Sequence, residues 1–168
     1  AQISGTVGES WHVFDNLTTD YQDAWETNGS RYSSSTRLHT AGVSTTVSGT
    51  AYLGDYIQLQ FPNKITIDRV DILPMVTYGL SRMPGVGIFA GSDNGTTWTL
   101  LKSVTNNTHT LGLYSPFYVN ATQAYKYIRI IWNELTTAGP DNYRNRAAAQ
   151  QIKYYGREEP APPGDLSL

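Results

Sequence analysis

The feature that most limits what this chain can fold into is a period of two. Tyr56-Ile57-Gln58-Leu59-Gln60-Phe61 alternates apolar and polar side chains without a break. Successive side chains of a strand point to opposite faces, so Ile57, Leu59 and Phe61 share one side and the glutamines the other. The expectation is a strand with one face in a core and the other in water. Ile65, Ile67, Val70 and Ile72 keep the period with a one-residue slip at Asp68-Arg69, which predicts a bulge in a long strand ending near Pro74. Val86 to Gly91 and Thr97 to Leu101 flank Ser92-Asp93-Asn94-Gly95, whose Asn-Gly pair predicts a tight hairpin turn. Tyr125, Tyr127, Ile128, Ile130 and Trp132 predict a strand buried on both faces toward its end, and Gln151 to Tyr155 a closing strand. Helical periodicity is hard to find, so the chain reads as all-β.

Two long polar stretches separate these strands, residues 26–55 and 133–147. Structureless segments of that length in a compact domain are usually functional or disordered. A chain of 168 residues is the size of one domain, and residues 1–157 are read as that domain. Residues 158–168, rich in Pro and Glu, read as a linker or tail.

Several function classes drop out. The net charge is -2 and Lys and Arg form no run, so the electrostatic footprint of a nucleic-acid binder is missing. No apolar stretch approaches the roughly 20 residues that span a bilayer. With no cysteine, disulfides and thiolate metal sites are excluded. Hydrolase, metalloprotease and phosphate-loop motifs are absent, and Glu26 and Glu134 lack any surrounding motif, so they read as surface acids and not as a glycosidase pair. Only 15% of residues are charged, while Gly, Ser, Thr, Asn and Tyr abound, the usual look of extracellular or virion surface domains. Sequons at Asn16, Asn28, Asn94, Asn106 and Asn120 could carry glycans in a eukaryotic secretory pathway.

A family resemblance rests on several pieces in order: Val13-Phe14-Asp15 followed by Trp25, Tyr56-Ile57-Gln58-Leu59, Ile72-Leu73-Pro74, the stretch from Gly91 to Leu101, Tyr127-Ile128-Arg129-Ile130 and Tyr154-Tyr155-Gly156. Together they resemble the discoidin-like, or coagulation-factor type C, domains and the related galactose-binding carbohydrate modules, over residues 10–156. The most specific piece is Gly91-Ser92-Asp93-Asn94-Gly95-Thr96-Thr97-Trp98, and residues 78–84 are similar to the variant found in large viruses, phages and marine surface proteins. The resemblance implies a jelly-roll β-sandwich of about eight strands with ligands held by loops at one end.

It also implies a calcium site in the early loop. Asp15 matches the family aspartate, Asp20 or Asp23 lies near a second ligand position, and Gln151 stands where relatives often carry Glu. Hard oxygen ligands suit calcium. The competing reading is that Asp15 only caps a turn through its side chain.

For a glycan, the same resemblance points to three loops offering Trp25, Tyr32, Arg37 and His39, then Tyr78 and Arg82, then Asn142, Tyr143 and Arg144. Trp25 is expected in the core and not as a stacking platform, and Trp98, Trp132 and Tyr127 likewise. Arg82 could grip paired hydroxyls with its donor fork. The function expected is a non-catalytic carbohydrate-binding or cell-attachment module. Its setting is extracellular, on a cell surface or a virion, within a larger multidomain or multimeric protein, and its partners are surface glycans or polysaccharide. A structural assembly domain of a capsid, spike or fibre is the first alternative. A phospholipid-headgroup binder is the second, set back by loop tips with few Leu or Phe.

Overall fold

The computed structural model describes residues 2–3, 10–18, 23–139 and 144–159. Among these the order is β1 (Gln2–Ile3), a 3-10 turn (Ser10–Phe14), β2 (Trp25–Glu26), β3 (Ser44–Val47), β4 (Thr50–Leu53), β5 (Asp55–Leu73), a second 3-10 turn (Gly79–Arg82) and β6 (Pro84–Ser92). There follow β7 (Thr99–Thr105), β8 (Ser115–Tyr118), β9 (Tyr125–Leu135), β10 (Ala148–Ala149) and β11 (Gln151–Glu158).

The long strand β5 organises the rest. Its first part, to Gln60, pairs antiparallel with β9. Its second part, from Ile65, is flanked by β11 and β8. Since β9 continues to β6 and β6 to β7, one layer reads β1-β5-β9-β6-β7 and the other β8-β5-β11. A strand that serves both layers makes a corner of the sandwich.

The apolar period decides what fills the space between. Ile57, Phe89, Ile128, Ile130 and Trp132 from one layer meet Ile67, Val70, Ile72, Phe117 and Ile152 from the other in a single buried cluster. Ile88, Ala90 and Ile131 point the opposite way and form a second cluster with Val47 and Trp98. The hairpin of β3 and β4 reaches this outer face, where Val47 bridges to Trp98. The expectation of a wet outer face therefore fails at Gln58, which is buried. It accepts hydrogen bonds from Arg129, at 2.6 Å for the shorter, and Arg129 also donates to Thr45 Oγ1 at 2.9 Å. The same guanidinium lies between the rings of Tyr56 and Trp98, 3.9 and 4.1 Å from their centroids.

The slip in the β5 pattern is a bulge, as the sequence predicts. Tyr155 pairs with Arg69 but Gly156 pairs with Ile67, leaving Asp68 over. Its carbonyl accepts from both Val119 N and Asn120 N. The Asn94-Gly95 turn is wider than predicted, because the ladder between β6 and β7 closes at Gly91 opposite Thr99. Asn94 Oδ1 accepts from Thr96 N and Thr97 N, each at 2.9 Å, and this side-chain turn takes up the extra residues. At the far end β11 runs through Glu158, and Glu159 N donates to Lys64 O, so pairing passes slightly beyond residue 157. Residues 160–168 of the expected tail lie outside the described residues. Among the described residues no helix is long and apolar enough to cross a membrane.

Candidate functional site

The antiparallel registers gather three connections at one pole. Gln151 pairs with Leu73 and Pro84 with Leu135, so two of them, the chain from β5 to β6 and the chain from β9 to β11, lie together. Pairing of Glu26 with Ala148 ties the early segment to the same place.

Glu26 is the hinge of a charged cluster there. Its carboxylate accepts from Arg82 Nη1 at 2.8 Å and from Arg146 Nη1. Arg82 sits on the second 3-10 turn, 5.5 Å from the centre of the Tyr78 ring. The left-handed backbone of Tyr78, φ 58°, turns its side chain outward, and the residue is 48% exposed. On the other flank Arg146 Nε donates to Asn145 Oδ1 at 3.1 Å. The guanidinium passes so close over Gly29 that a Cβ there would lie 2.8 Å from it. The result is a strip: an exposed ring, a buried guanidinium, a carboxylate and a half-exposed guanidinium. Two cations share one anion, leaving a local charge of +1. Forked donors and a carboxylate acceptor beside an aromatic face can engage vicinal hydroxyls and the apolar face of a ring.

The remaining expected residues take other places. Tyr32 is buried, its hydroxyl donating to Trp132 O at 2.8 Å and accepting from Asp55 N at 3.0 Å. Burial, with the Asp55 carboxylate nearby, raises its pKa well above the ordinary tyrosine value. His39 packs edge-on against Tyr32, with Nε2 3.6 Å from Asp55 Oδ1, and is also buried. Asp55 in turn accepts from Arg31 Nε at 2.8 and 2.9 Å. These are struts beneath the pole and not surface groups. They pack inward because Trp132 and Asp55 on neighbouring strands offer them partners the sequence could not reveal. Arg37, at φ 65°, is half-buried and spans to Glu134 Oε1. Arg144, offered above as a glycan-loop residue, is buried and donates to the carbonyls of Thr137 and Gly139, the latter at 2.7 Å. Asn142 and Tyr143, like Asp20, lie outside the described residues. Trp25 is in the core, edge-on to Trp132 at 4.9 Å. Glu26 and Glu134 are arginine partners, not plain surface acids. Sequence reasoning missed Glu26 and Arg146 as site residues, although Arg144 and Arg146 two positions apart were a signal.

The early loop bears on the calcium expectation. Asp15 Oδ1 accepts from Leu17 N at 2.8 Å, a side-chain turn cap, and Oδ2 lies 2.9 Å from His12 Nδ1. Burial pushes the Asp15 carboxyl upward, but the hydrogen bonds from Leu17, His12 and Gln151 outweigh it and hold the group below its ordinary value. Gln151 Nε2 donates to Asp15 Oδ1 at 2.8 Å, to His12 O at 2.7 Å and to Leu17 O at 2.9 Å. Asp23 faces elsewhere with its carbonyl, accepting from Gln150 Nε2 at 2.8 Å. Oxygens do converge, yet on an amide N–H group, and among the described residues no three carboxylates or histidines group together. Among the described residues the loop thus offers a cation one carboxylate, already hydrogen-bonded, and an amide turned with its nitrogen inward.

No protein-family model matches the sequence, and no curated protein sequence matches it. Solved structures do match. A family 32 carbohydrate-binding module (CBM) from a family 31 glycoside hydrolase of Clostridium perfringens aligns at a TM-score of 0.61 and 15% identity, covering 94% of this chain and 89% of that one. Another Clostridium perfringens domain, solved with GalNAc-β-1,3-galactose, aligns at 0.59 and 12% identity over 92% of each chain. The family 32 CBM of Clostridium perfringens NanJ, solved with galactose, aligns at 0.54 and 13% identity over 91% of each. The chain thus has the galactose-binding-like, discoidin-like β-sandwich fold of these carbohydrate-binding modules.

Proposed function

We propose that the chain is a non-catalytic glycan-binding module whose sugar contact is the strip of Tyr78, Arg82, Glu26 and Arg146. The observation that carries this reading is an exposed aromatic ring beside a braced Arg–Glu–Arg cluster, on the pole where three loops meet. The apolar face of a sugar stacks on Tyr78, while Arg146 and Glu26 address its hydroxyls. Arg82, itself buried, fixes the Glu26 carboxylate and underlies the ring. The neighbours solved with galactose and with GalNAc-β-1,3-galactose support a ligand of one or two sugar units. Such a shallow site binds at roughly millimolar to micromolar strength, about 4 to 8 kcal/mol, so useful attachment outside the cell comes from a multidomain or multimeric parent.

A glycan array probed with the multivalently displayed domain tests this. Selective binding is expected, and Tyr78→Ala and Arg146→Ala should each weaken it about tenfold, equivalent to roughly 1.4 kcal/mol, without lowering the melting temperature. Lys64→Ala, at the opposite pole, should leave it unchanged. A blank array with folded, multivalent protein would overturn the reading and direct attention to subunit contacts.

A further inference from the structure

The early loop closes around a side chain in a way that its oxygens alone do not explain. Residues 12–17 turn sharply, with Asn16 in the left-handed region at φ 62°, so that two backbone carbonyls and the Asp15 carboxylate point at one spot. Converging acceptors repel one another and need a shared positive partner. The group found there is the amide nitrogen of Gln151, within 2.7 to 2.9 Å of all three, its two N–H donors shared among them. Gln151 is buried at the first position of β11. Its orientation is fixed at both ends, because Oε1 accepts from Asn16 N at 3.1 Å. Turning the amide over would set an oxygen against three acceptors and an N–H₂ against an N–H, losing every bond.

We propose that Gln151 is a built-in substitute for a metal ion: its amide N–H₂ occupies the position a calcium would take, and the loop holds its shape without one. The two solutions exclude each other. A bound cation needs Oε1 turned inward as a ligand, which breaks the Asn16 contact, and among the described residues the one carboxylate at this spot is that of Asp15, whose Oδ2 is already engaged by His12. The Gln151 position thus decides whether the module depends on calcium, and the inference stands whether or not the glycan reading does.

Thermal melts of the whole chain in millimolar calcium chloride and in chelator test it. The unsubstituted protein should melt at the same temperature in both, within about a degree. Gln151→Glu removes the donor and restores a carboxylate; it should melt lower in chelator and recover by ~5 °C or more when calcium is added. A calcium-dependent rise of that size in the unsubstituted protein would overturn the proposal, and that measurement does not depend on any variant folding. So would a Gln151→Glu protein whose melting is indifferent to calcium, because the amide would then not stand at a cation position.

Discussion

Arg129 and His109 show how much a single buried polar residue can carry in this chain. Arg129 keeps its charge in a place closed to water by holding two glutamine and threonine oxygens and by lying between two rings. Burial lowers its pKa, while the nearby Tyr56 works the other way. Lysine cannot reproduce a planar fork stacked on both sides. Arg129→Lys should therefore cost about 1 to 3 kcal/mol in denaturant unfolding, against a near-neutral Lys102→Arg on the exposed face of β7. His109 is buried with Nδ1 2.8 Å from Ser115 Oγ and its ring stacked near Phe117. Burial lowers its pKa, while hydrogen bonding to the backbone at Pro84 and Asn106 works the other way. A histidine whose folded pKa lies below its unfolded one favours folding most when neutral. Its contribution is complete above the unfolded value of about 6.5 and is lost as the pH falls through the lower folded value. Urea midpoints measured from neutral pH downward should fall in this window, and His109→Gln should flatten that part of the profile. The alternation of Tyr127-Ile128-Arg129-Ile130 revealed that Arg129 faces away from the core, but nothing local could reveal the hairpin that covers it.

Elements were legible where the period of two was written in apolar residues. β5, β6, β9 and β11 fall where the sequence predicts them, and the slip at Asp68 is a true bulge. The hairpin of β3 and β4 was hidden in a Ser/Thr-rich stretch. Its period exists, with Thr45 and Val47 buried and Ser44 and Thr46 exposed, but hydroxyl side chains do not stand out as a core face. The candidate site was legible to the level of its loops and no further. Tyr78 and Arg82 proved adjacent, but Glu26 and Arg146 are brought together only by the pairing of β2 with β10. At the bulge, Gly156 lies so close to the Thr66 carbonyl that no side chain fits. Gly156→Ala should cost about 2 kcal/mol or more, read as a lower denaturant midpoint with an unchanged slope, because strand backbone and not a pliable side chain would have to move.

At the scale of the whole molecule, one strand belongs to both layers. Neither layer can come apart while the other keeps β5 in place, so unfolding is expected in one step. Ile57→Ala, in the first part of β5, and Ile72→Ala, in the second, should each cost about 2 to 4 kcal/mol. Both should shift a single transition seen alike by far-ultraviolet circular dichroism and tryptophan fluorescence. Separate transitions for the two variants would show that the corner of the sandwich is a joint and not a brace.

The course of β11 sets where the described chain leaves the sandwich. The strand starts at Gln151, beside Leu73 under the three-loop pole, and runs to Glu158, beside Ile65 at the opposite one. At about 3.3 Å per residue, that carries the backbone some 20 to 25 Å away from Tyr78 and its neighbours. A neighbour joined beyond β11 would therefore draw on the pole opposite the arginine strip. On a crowded surface such a mount would give standoff, like a hand held out on a short forearm with its palm left clear.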